Sequence, residues 1–94
     1  MSSENAEFDA TAVTGVDTET EKTVAEIWVT VLKKNTFGAD DDFFAVGGNS
    51  MLATLATYKL REKFEVELPL MLIFENPTIT ELAKAIEEHI ASGE

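Results

Sequence analysis

Two segments of the sequence place apolar residues at helical spacing, and each segment begins with the pattern of a capping box. Thr18 is followed three residues later by Glu21, and Thr78 is followed in the same way by Glu81. This pattern satisfies backbone N–H groups that the first turn of a helix leaves without partners. We therefore predict a first helix from Thr18 to Lys34 and a last helix after Thr78. Their apolar positions are Val24, Ile27, Trp28, Val31 and Leu32, then Ile79, Leu82, Ala83, Ile86 and Ile90.

Two further helices are predicted between these segments. Strong helix formers without Pro or Gly predict a helix over Ser50 to Phe64. Pro69 suits a first helical position, and Asn76 with Pro77 marks a stop, so a short third helix is expected. Strand-like alternation is confined to residues 64–68. The sequence is therefore predicted to fold as an all-α four-helix bundle.

The chain is expected to form one domain, because 94 residues leave no room for a second core of useful size. Residues 1–16 mix small polar residues and acids without helical period, so we interpret them as a flexible acidic tail. The domain is predicted to span residues 17–92.

A long loop is predicted between the first and second helices, over residues 35–49. It contains three glycines and three consecutive acids, and its apolar residues have no period. Loops of this length are usually functional or disordered. Four apolar side chains are candidates to hold this loop against the core: Phe37, Phe43, Phe44 and Val46.

Charge and composition exclude several functions. Eighteen acidic and seven basic residues give a net charge of −11, which disfavours nucleic acid and anionic membranes as partners. The chain has no cysteine, so disulfides and thiolate chemistry are absent. No apolar run reaches the length of a membrane span, and the first residues do not resemble a signal peptide. We expect a cytoplasmic protein.

The sequence offers few groups for conventional catalysis. His89 is the single histidine and lies far along the chain from Ser50, which disfavours a Ser-His-acid triad although spacing alone does not exclude it. Asp40, Asp41 and Asp42 lack the alternate spacing, central glycine and terminal glutamate of a calcium loop. We therefore predict no metal site and interpret the three aspartates as a solvated loop.

The junction Gly47-Gly48-Asn49-Ser50 places a hydroxyl where the loop ends and the second helix begins. Either Asn49 or Ser50 could cap that helix, and the free N–H groups with the positive end of the helix dipole would also favour an attached phosphate. The glycines allow positive φ and leave space for an approaching enzyme.

The second helix has two apolar faces. One face is predicted to join the core and consists of Ala53, Ala56, Leu60 and Phe64. The opposite face carries Met51, Leu55 and Tyr58, beginning beside Ser50. This second face is either a surface that partners contact or a surface covered by another helix.

The run from Asp42 to Ala53 resembles the D-x-F-F-x-L-G-G-[HD]-S-L motif of peptidyl carrier (thiolation) domains of nonribosomal peptide synthetases. The resemblance covers roughly residues 21–90, with Asn49 where His or Asp is usual and Val46 where Leu is usual. The motif residues it identifies are Asp42, Phe43, Phe44, Gly47, Gly48, Asn49 and Ser50; later matching segments are Leu60–Phe64, Val66–Leu70, Ile73–Ile79 and Leu82-Ala83.

The resemblance implies an acyl-carrier-like bundle in which Ser50 receives 4′-phosphopantetheine from a magnesium-dependent phosphopantetheinyl transferase. It implies a monomeric carrier, not an enzyme, with an adenylation enzyme, condensation or tailoring enzymes and a thioesterase as partners. Met51, Leu55 and Tyr58 are the candidate partner contacts. Asn49 can still cap the helix. Because the motif usually has His or Asp at this position, the choice of partner enzymes is left open.

Alternatives remain at this stage. An acyl carrier protein of fatty-acid or polyketide synthesis shares the fold and the modified serine, although Asp-Phe-Phe before Gly-Gly argues against it. An unmodified helical module that binds a partner helix through Met51, Leu55 and Tyr58 is a second alternative. We expect a free-standing carrier, with a domain excised from a larger synthetase as the other possibility.

Overall fold

The computed structural model describes residues 10–93, which contain four α-helices and one short 3₁₀ turn. No strand forms in this part of the chain, where the one β-bridge pairs Thr14 with Gly38, so the predicted all-α class is confirmed. None of its helices is long and apolar enough to cross a membrane. The elements are the 3₁₀ turn Ala10–Ala12, α1 Glu19–Leu32, α2 Ser50–Phe64, α3 Met71–Glu75 and α4 Ile79–Gly93.

The capping box predicted for α1 is present in full. The Thr18 hydroxyl accepts a hydrogen bond from the Glu21 N–H at 3.1 Å, and the Glu21 carboxylate accepts from the N–H groups of Thr18 and Asp17 at 3.3 and 2.6 Å. The helix ends at Leu32, two residues before the predicted end, because Lys33 turns into the left-handed region at φ 59°.

The predicted bounds of α2 are confirmed at both ends, since the helix runs from Ser50 to Phe64. The core face is also as predicted: Ala53, Ala56 and Leu60 are buried, and Phe64 is half-buried. This helix could be predicted from the sequence for two reasons. The segment contains no glycine or proline, and its core-facing apolar residues form one consistent stripe.

The short third helix is confirmed, but the position predicted for Pro69 is wrong. Pro69 lies in the turn before α3, where its carbonyl accepts a hydrogen bond from the Leu72 N–H at 3.0 Å. The predicted stop is correct, because Asn76 ends the helix and its side-chain amide donates to the Leu72 carbonyl at 3.0 Å. Residues 64–68, which alternate like a strand, form the end of α2 and a connection.

The long loop is held to the core by aromatic packing, as predicted. Phe43 is fully buried and packs edge to face on Trp28, with ring centroids 4.9 Å apart, and the ring of Phe37 is tilted against Trp28 with centroids 6.1 Å apart. The Phe43 N–H donates to the Pro77 carbonyl at 2.8 Å, which ties the loop to the connection before α4. Phe44 and Val46 are half-buried. The end of the loop, and therefore the start of α2, has a defined position.

The predicted boundary of the flexible tail at residue 16 is corrected by the structure. Val13 is buried in the core, the Thr14 N–H donates to the Phe37 carbonyl at 3.4 Å, and the Thr14 carbonyl accepts from Ala39 at 2.7 Å. Residues 10–16 therefore pack on the domain, and residues 1–9 lie outside the described part of the chain. The sequence did not indicate this contact, because a single valine in a polar segment forms no helical or strand-like repeat.

Candidate functional site

Ser50, the serine that the resemblance identifies, is the first residue of α2 and is exposed to solvent. Its hydroxyl forms no hydrogen bond within residues 10–93, whereas its backbone carbonyl accepts from the Thr54 hydroxyl at 2.9 Å. A serine at this place has its backbone held by the helix and its side chain free to react. The Oγ is thus available to an enzyme approaching from solvent.

Asn49, not Ser50, caps α2. Its backbone is extended, with φ −152° and ψ −178°, and its side-chain oxygen accepts a hydrogen bond from the Leu52 N–H at 2.8 Å. The two possibilities that the sequence left open are therefore resolved. Because Asn49 performs the capping, the Ser50 hydroxyl has no structural task at the helix start.

Replacing Asn49 with alanine is expected to reduce the free energy of unfolding by about 1 kcal/mol, the usual effect of losing an N-cap. Asn49→Asp retains a capping oxygen and should leave stability nearly unchanged. Urea unfolding of the three proteins measures this difference. Equal stabilities of Asn49→Ala and the wild type would show that the Leu52 hydrogen bond contributes nothing.

Glycine is required at positions 47 and 48 for two different structural reasons. Gly47 has φ 120°, a conformation that residues with a Cβ rarely adopt. Gly48 donates its N–H to the Phe43 carbonyl at 2.9 Å, and a Cβ added to Gly48 would overlap the Phe43 ring. Glycine is therefore needed at position 48 because a larger residue would collide with the buried Phe43 ring. This reason adds to the one suggested by the sequence, which is that glycine leaves space for an enzyme approaching Ser50.

The acidic and aromatic residues of the motif shape the loop. The Asp42 carboxylate accepts from the Phe44 N–H at 2.8 Å and closes a turn, and Phe44 stacks on Phe74 of α3 with centroids 5.3 Å apart. Asp41 accepts from the Gly38 N–H at 2.8 Å. Residues 10–93 hold no group of three or more acids and histidines arranged to bind a metal. These aspartates serve as local hydrogen-bond acceptors.

His89 does not join Ser50 in a catalytic arrangement. Among residues 10–93, the Ser50 hydroxyl and the His89 imidazole form no hydrogen bond with each other or with a carboxylate. A serine nucleophile of the hydrolase type needs a base in such contact. The geometry therefore offers a reactive hydroxyl without catalytic partners of its own.

The second apolar face of α2 is exposed. Met51, Tyr58 and Leu55 are 78%, 59% and 42% exposed, and no helix in the described part of the chain covers them. Together with Leu70, which is 38% exposed and precedes α3, they border an open groove of about 500 Å³ that we call the α2 groove. Its further lining residues are Thr54, Thr57 and Arg61.

Sequence reasoning did not identify Leu70, Thr57 or Arg61 as site residues. Leu70 belongs to a short apolar run whose faces have no readable period, and Thr57 lies between the two apolar stripes of α2. Helical spacing is the one feature of the sequence that could have indicated Thr57 and Arg61. Thr57 lies three residues after Thr54, and Arg61 lies three residues after Tyr58, so each pair lies on one side of the helix. Only the placement of the α2–α3 connection brings Leu70 beside them.

Comparison with known proteins identifies one matching family and several similar synthetases. The family described as phosphopantetheine attachment site matches residues 22–86. Gramicidin S synthase 2 of Brevibacillus brevis is 41% identical over 85 residues, which make up 90% of this chain and 2% of that protein. Indigoidine synthase of Streptomyces lavendulae is 38% identical over 87 residues, which make up 93% of this chain and 7% of that protein. The chain spans 1% to 7% of the length of the first curated relatives it matches.

Solved structures agree with this comparison. A peptidyl carrier protein in complex with the phosphopantetheine transferase Sfp and coenzyme A is 34% identical, with a TM-score of 0.72 over 81% of this chain and 97% of that chain. A type-II acyl carrier protein from Streptomyces verticillus, involved in bleomycin biosynthesis, is 28% identical, with a TM-score of 0.72 over 76% of this chain and 86% of that chain.

Proposed function

The chain belongs to the phosphopantetheine attachment site family, as a carrier domain homologous to peptidyl carrier domains of nonribosomal peptide synthetases, and we propose that Ser50 bears its arm. Members of this family carry a prosthetic 4′-phosphopantetheine arm and are not themselves catalytic. The chain therefore has a carrier role in natural-product synthesis. The arm's thiol supplies the thioester chemistry when the arm is attached.

One observation carries the assignment of Ser50: its hydroxyl is exposed and without a hydrogen bond in residues 10–93, at the first position of α2. The N-terminus of α2 has no acidic residue in its first turn. A phosphodiester at this place is favoured by about 0.3–1 kcal/mol through the helix dipole. The residues present thus fit the group.

The attachment step is a phosphoryl transfer from coenzyme A. A bond forms between Ser50 Oγ and the phosphorus that bears pantetheine, and the bond from that phosphorus to the bridging oxygen breaks. Adenosine 3′,5′-bisphosphate leaves, and the Ser50 hydroxyl proton passes to a base supplied by the transferase. The carrier contributes the hydroxyl and the ordered helix start that presents it.

Partner enzymes are part of the proposal. The similar carrier solved with a phosphopantetheine transferase supports a transferase as one partner. A similar solved structure, McyG A-PCP complexed with phenylalanyl-adenylate, supports an adenylation enzyme as a second partner. We propose condensation or tailoring enzymes and a thioesterase as further partners, because the motif resembles that of peptidyl carrier domains. The net charge of −11 favours partners with basic surfaces.

Intact-protein mass tests this function. Wild-type protein incubated with coenzyme A, Mg²⁺ and a broad-specificity transferase should gain one phosphopantetheine. The modified protein should then be charged with an amino or aryl acid by an adenylating enzyme. Charging by malonyl transfer instead would support the acyl carrier of fatty-acid or polyketide synthesis. Folded protein that gains no mass would contradict the carrier assignment.

Met51→Glu and Tyr58→Glu are expected to leave the protein folded and to slow at least one partner enzyme about tenfold, because both side chains are exposed on the proposed contact face. Steady-state kinetics of attachment and charging measure the effect. Thr30→Glu adds the same charge on an exposed position of α1 and is the matched control. Unfolding of both variants, or an equal loss in the control, would contradict this surface.

A further inference from the structure

The sulfur atoms of this chain all belong to methionine, because the sequence has three methionines and no cysteine. Residues 10–93 contain two of them, Met51 and Met71, which are 78% and 55% exposed. Methionine commonly fills gaps in a hydrophobic core. The core of residues 10–93 contains none, so the sulfur atoms in this part of the chain lie where solvent reaches them.

We propose that Met51 is a site of reversible oxidation by hydroperoxides, and that its sulfoxide slows transfer of phosphopantetheine to Ser50. This inference rests on the proposed attachment at Ser50 and adds a regulation of that site. Oxidation of methionine to its sulfoxide is reversed by sulfoxide reductases. Met51 would therefore make loading of the carrier sensitive to peroxide.

The oxidation step transfers one oxygen atom from the hydroperoxide to the Met51 thioether. The O–O bond of the hydroperoxide breaks, and a bond forms between that oxygen and the sulfur. Hydrogen peroxide leaves as water, and an organic hydroperoxide leaves as an alcohol. The sulfur is oxidised by two electrons, and the peroxide is reduced by the same two.

Exposure favours Met51 as the target of this chemistry. Met51 is the most exposed of the large apolar residues in the described part of the chain, ahead of Tyr58 and Met71. The indole of Trp28, the single tryptophan, is fully buried and thereby protected. Among residues 10–93, a hydroperoxide therefore meets the two thioethers, and that of Met51 is the more accessible.

The position of Met51 connects its oxidation to the carrier role. Met51 is the second residue of α2 and directly follows Ser50. An enzyme that brings a phosphorus atom to Ser50 Oγ must approach this neighbouring side chain. The flexible, apolar thioether suits contact with an enzyme surface. The sulfoxide oxygen is polar, and its burial in such a contact without a hydrogen bond is unfavourable.

The start of α2 does not depend on the Met51 side chain. The Asn49 side chain accepts from the Leu52 N–H at 2.8 Å, and the Thr54 hydroxyl donates to the Ser50 carbonyl at 2.9 Å. These bonds join other residues, and the Met51 side chain projects into solvent. Oxidation is therefore expected to act on contact with the transferase, with the fold retained.

Met71 provides an internal comparison. It is the first residue of α3 and is exposed, but it is not part of the lining of the α2 groove and does not adjoin Ser50. The same reagent reaches both thioethers. A slowing of attachment that is caused by Met51 should therefore remain when Met71 is replaced.

Controlled oxidation of the unmodified protein tests this inference. The protein is treated with hydrogen peroxide, and the peroxide is removed before the transferase, coenzyme A and Mg²⁺ are added. Peptide mass mapping should show one added oxygen on Met51 before Met71 reacts to the same extent. The rate of attachment should then fall about fivefold, because the transferase loses favourable burial of this side chain. Sulfoxide reductases for both epimers should restore the rate.

Two variants assign the effect, each compared with its own unoxidised form. The ratio of the unoxidised to the oxidised rate should be about one in Met51→Leu and should stay near fivefold in Met71→Leu, as in the wild type. A slowing that persists in Met51→Leu would overturn the inference. An unchanged rate in wild-type protein whose Met51 carries the oxygen would overturn it as well.

The remaining outcomes separate this inference from the proposed function. If unoxidised, folded wild type gains no phosphopantetheine, the attachment at Ser50 and this inference both fail. If it gains phosphopantetheine but peroxide oxidises Met71 and leaves Met51 intact, the inference alone is overturned. Circular dichroism of the oxidised protein should match that of the untreated protein, and loss of helix would overturn the assignment of the slowing to the transferase contact.

Discussion

Ser50→Ala is expected to abolish attachment of phosphopantetheine while leaving the protein folded. The variant lacks the nucleophilic oxygen, so no gain in mass should follow incubation with coenzyme A and a transferase. Stability should change by less than about 0.5 kcal/mol, because the exposed Ser50 side chain makes no hydrogen bond in residues 10–93 and Asn49 keeps the cap. Intact-protein mass and thermal unfolding measure the two parts of this prediction.

Ser92→Ala is the matched control, because Ser92 is another exposed helical serine, in α4. It should gain one phosphopantetheine like the wild type. A gain retained by Ser50→Ala would place the attachment site at another hydroxyl. If the folded wild type gains nothing and still binds a partner through Met51, Leu55 and Tyr58, the unmodified interaction module would be the correct interpretation of this chain.

Gly48→Ala is expected to lower the free energy of unfolding by about 3 kcal/mol, a large share of the stability of a small domain. The added methyl group would overlap the ring of Phe43 and approach its carbonyl oxygen to 2.7 Å. Phe43 cannot move aside easily, because it is fully buried against Trp28. Urea unfolding measures the loss, and attachment to Ser50 should fall with the folded fraction.

A double-mutant cycle with Phe43→Leu tests the cause of this loss. The smaller, flexible side chain should relieve the overlap with the ring, so the double variant should be more stable than the sum of the single effects predicts. The relief is expected to be partial, because the carbonyl oxygen of residue 43 remains in place. Additive effects would show that the Phe43 ring is not what makes glycine necessary at position 48.

Much of the fold was accessible from local sequence. The bounds of α2 and the caps at Thr18 and Thr78 depend on residues within a few positions of each other, and propensity and capping act at that range. Helix α1 ends two residues before its predicted end, because the left-handed conformation of Lys33 has no distinctive sequence signal. Helix α3 starts after Pro69 and not at it, since proline fits a turn as well as a first helical position.

Some features of the candidate site could likewise be predicted from local sequence, whereas others depended on the tertiary structure. Ser50 and its motif could be identified from adjacent residues, and the exposed face of Met51, Leu55 and Tyr58 followed from the helical period. Which residue caps α2 depended on backbone geometry, because Asn and Ser are both good caps. The contact between Gly48 and Phe43 depended on how the loop folds back, and helical period carries no information about that.

The sequence by itself determined the helices, their caps and the reactive serine, because each depends on neighbours along the chain. The tertiary structure decided that Val13 packs into the core, that Leu70 borders the same groove as residues of α2, and that Thr57 is a buried residue in the lining of that groove. These features join residues from different elements. Their physical cause is packing between helices and loops, in which the position of each side chain depends on all its neighbours at once.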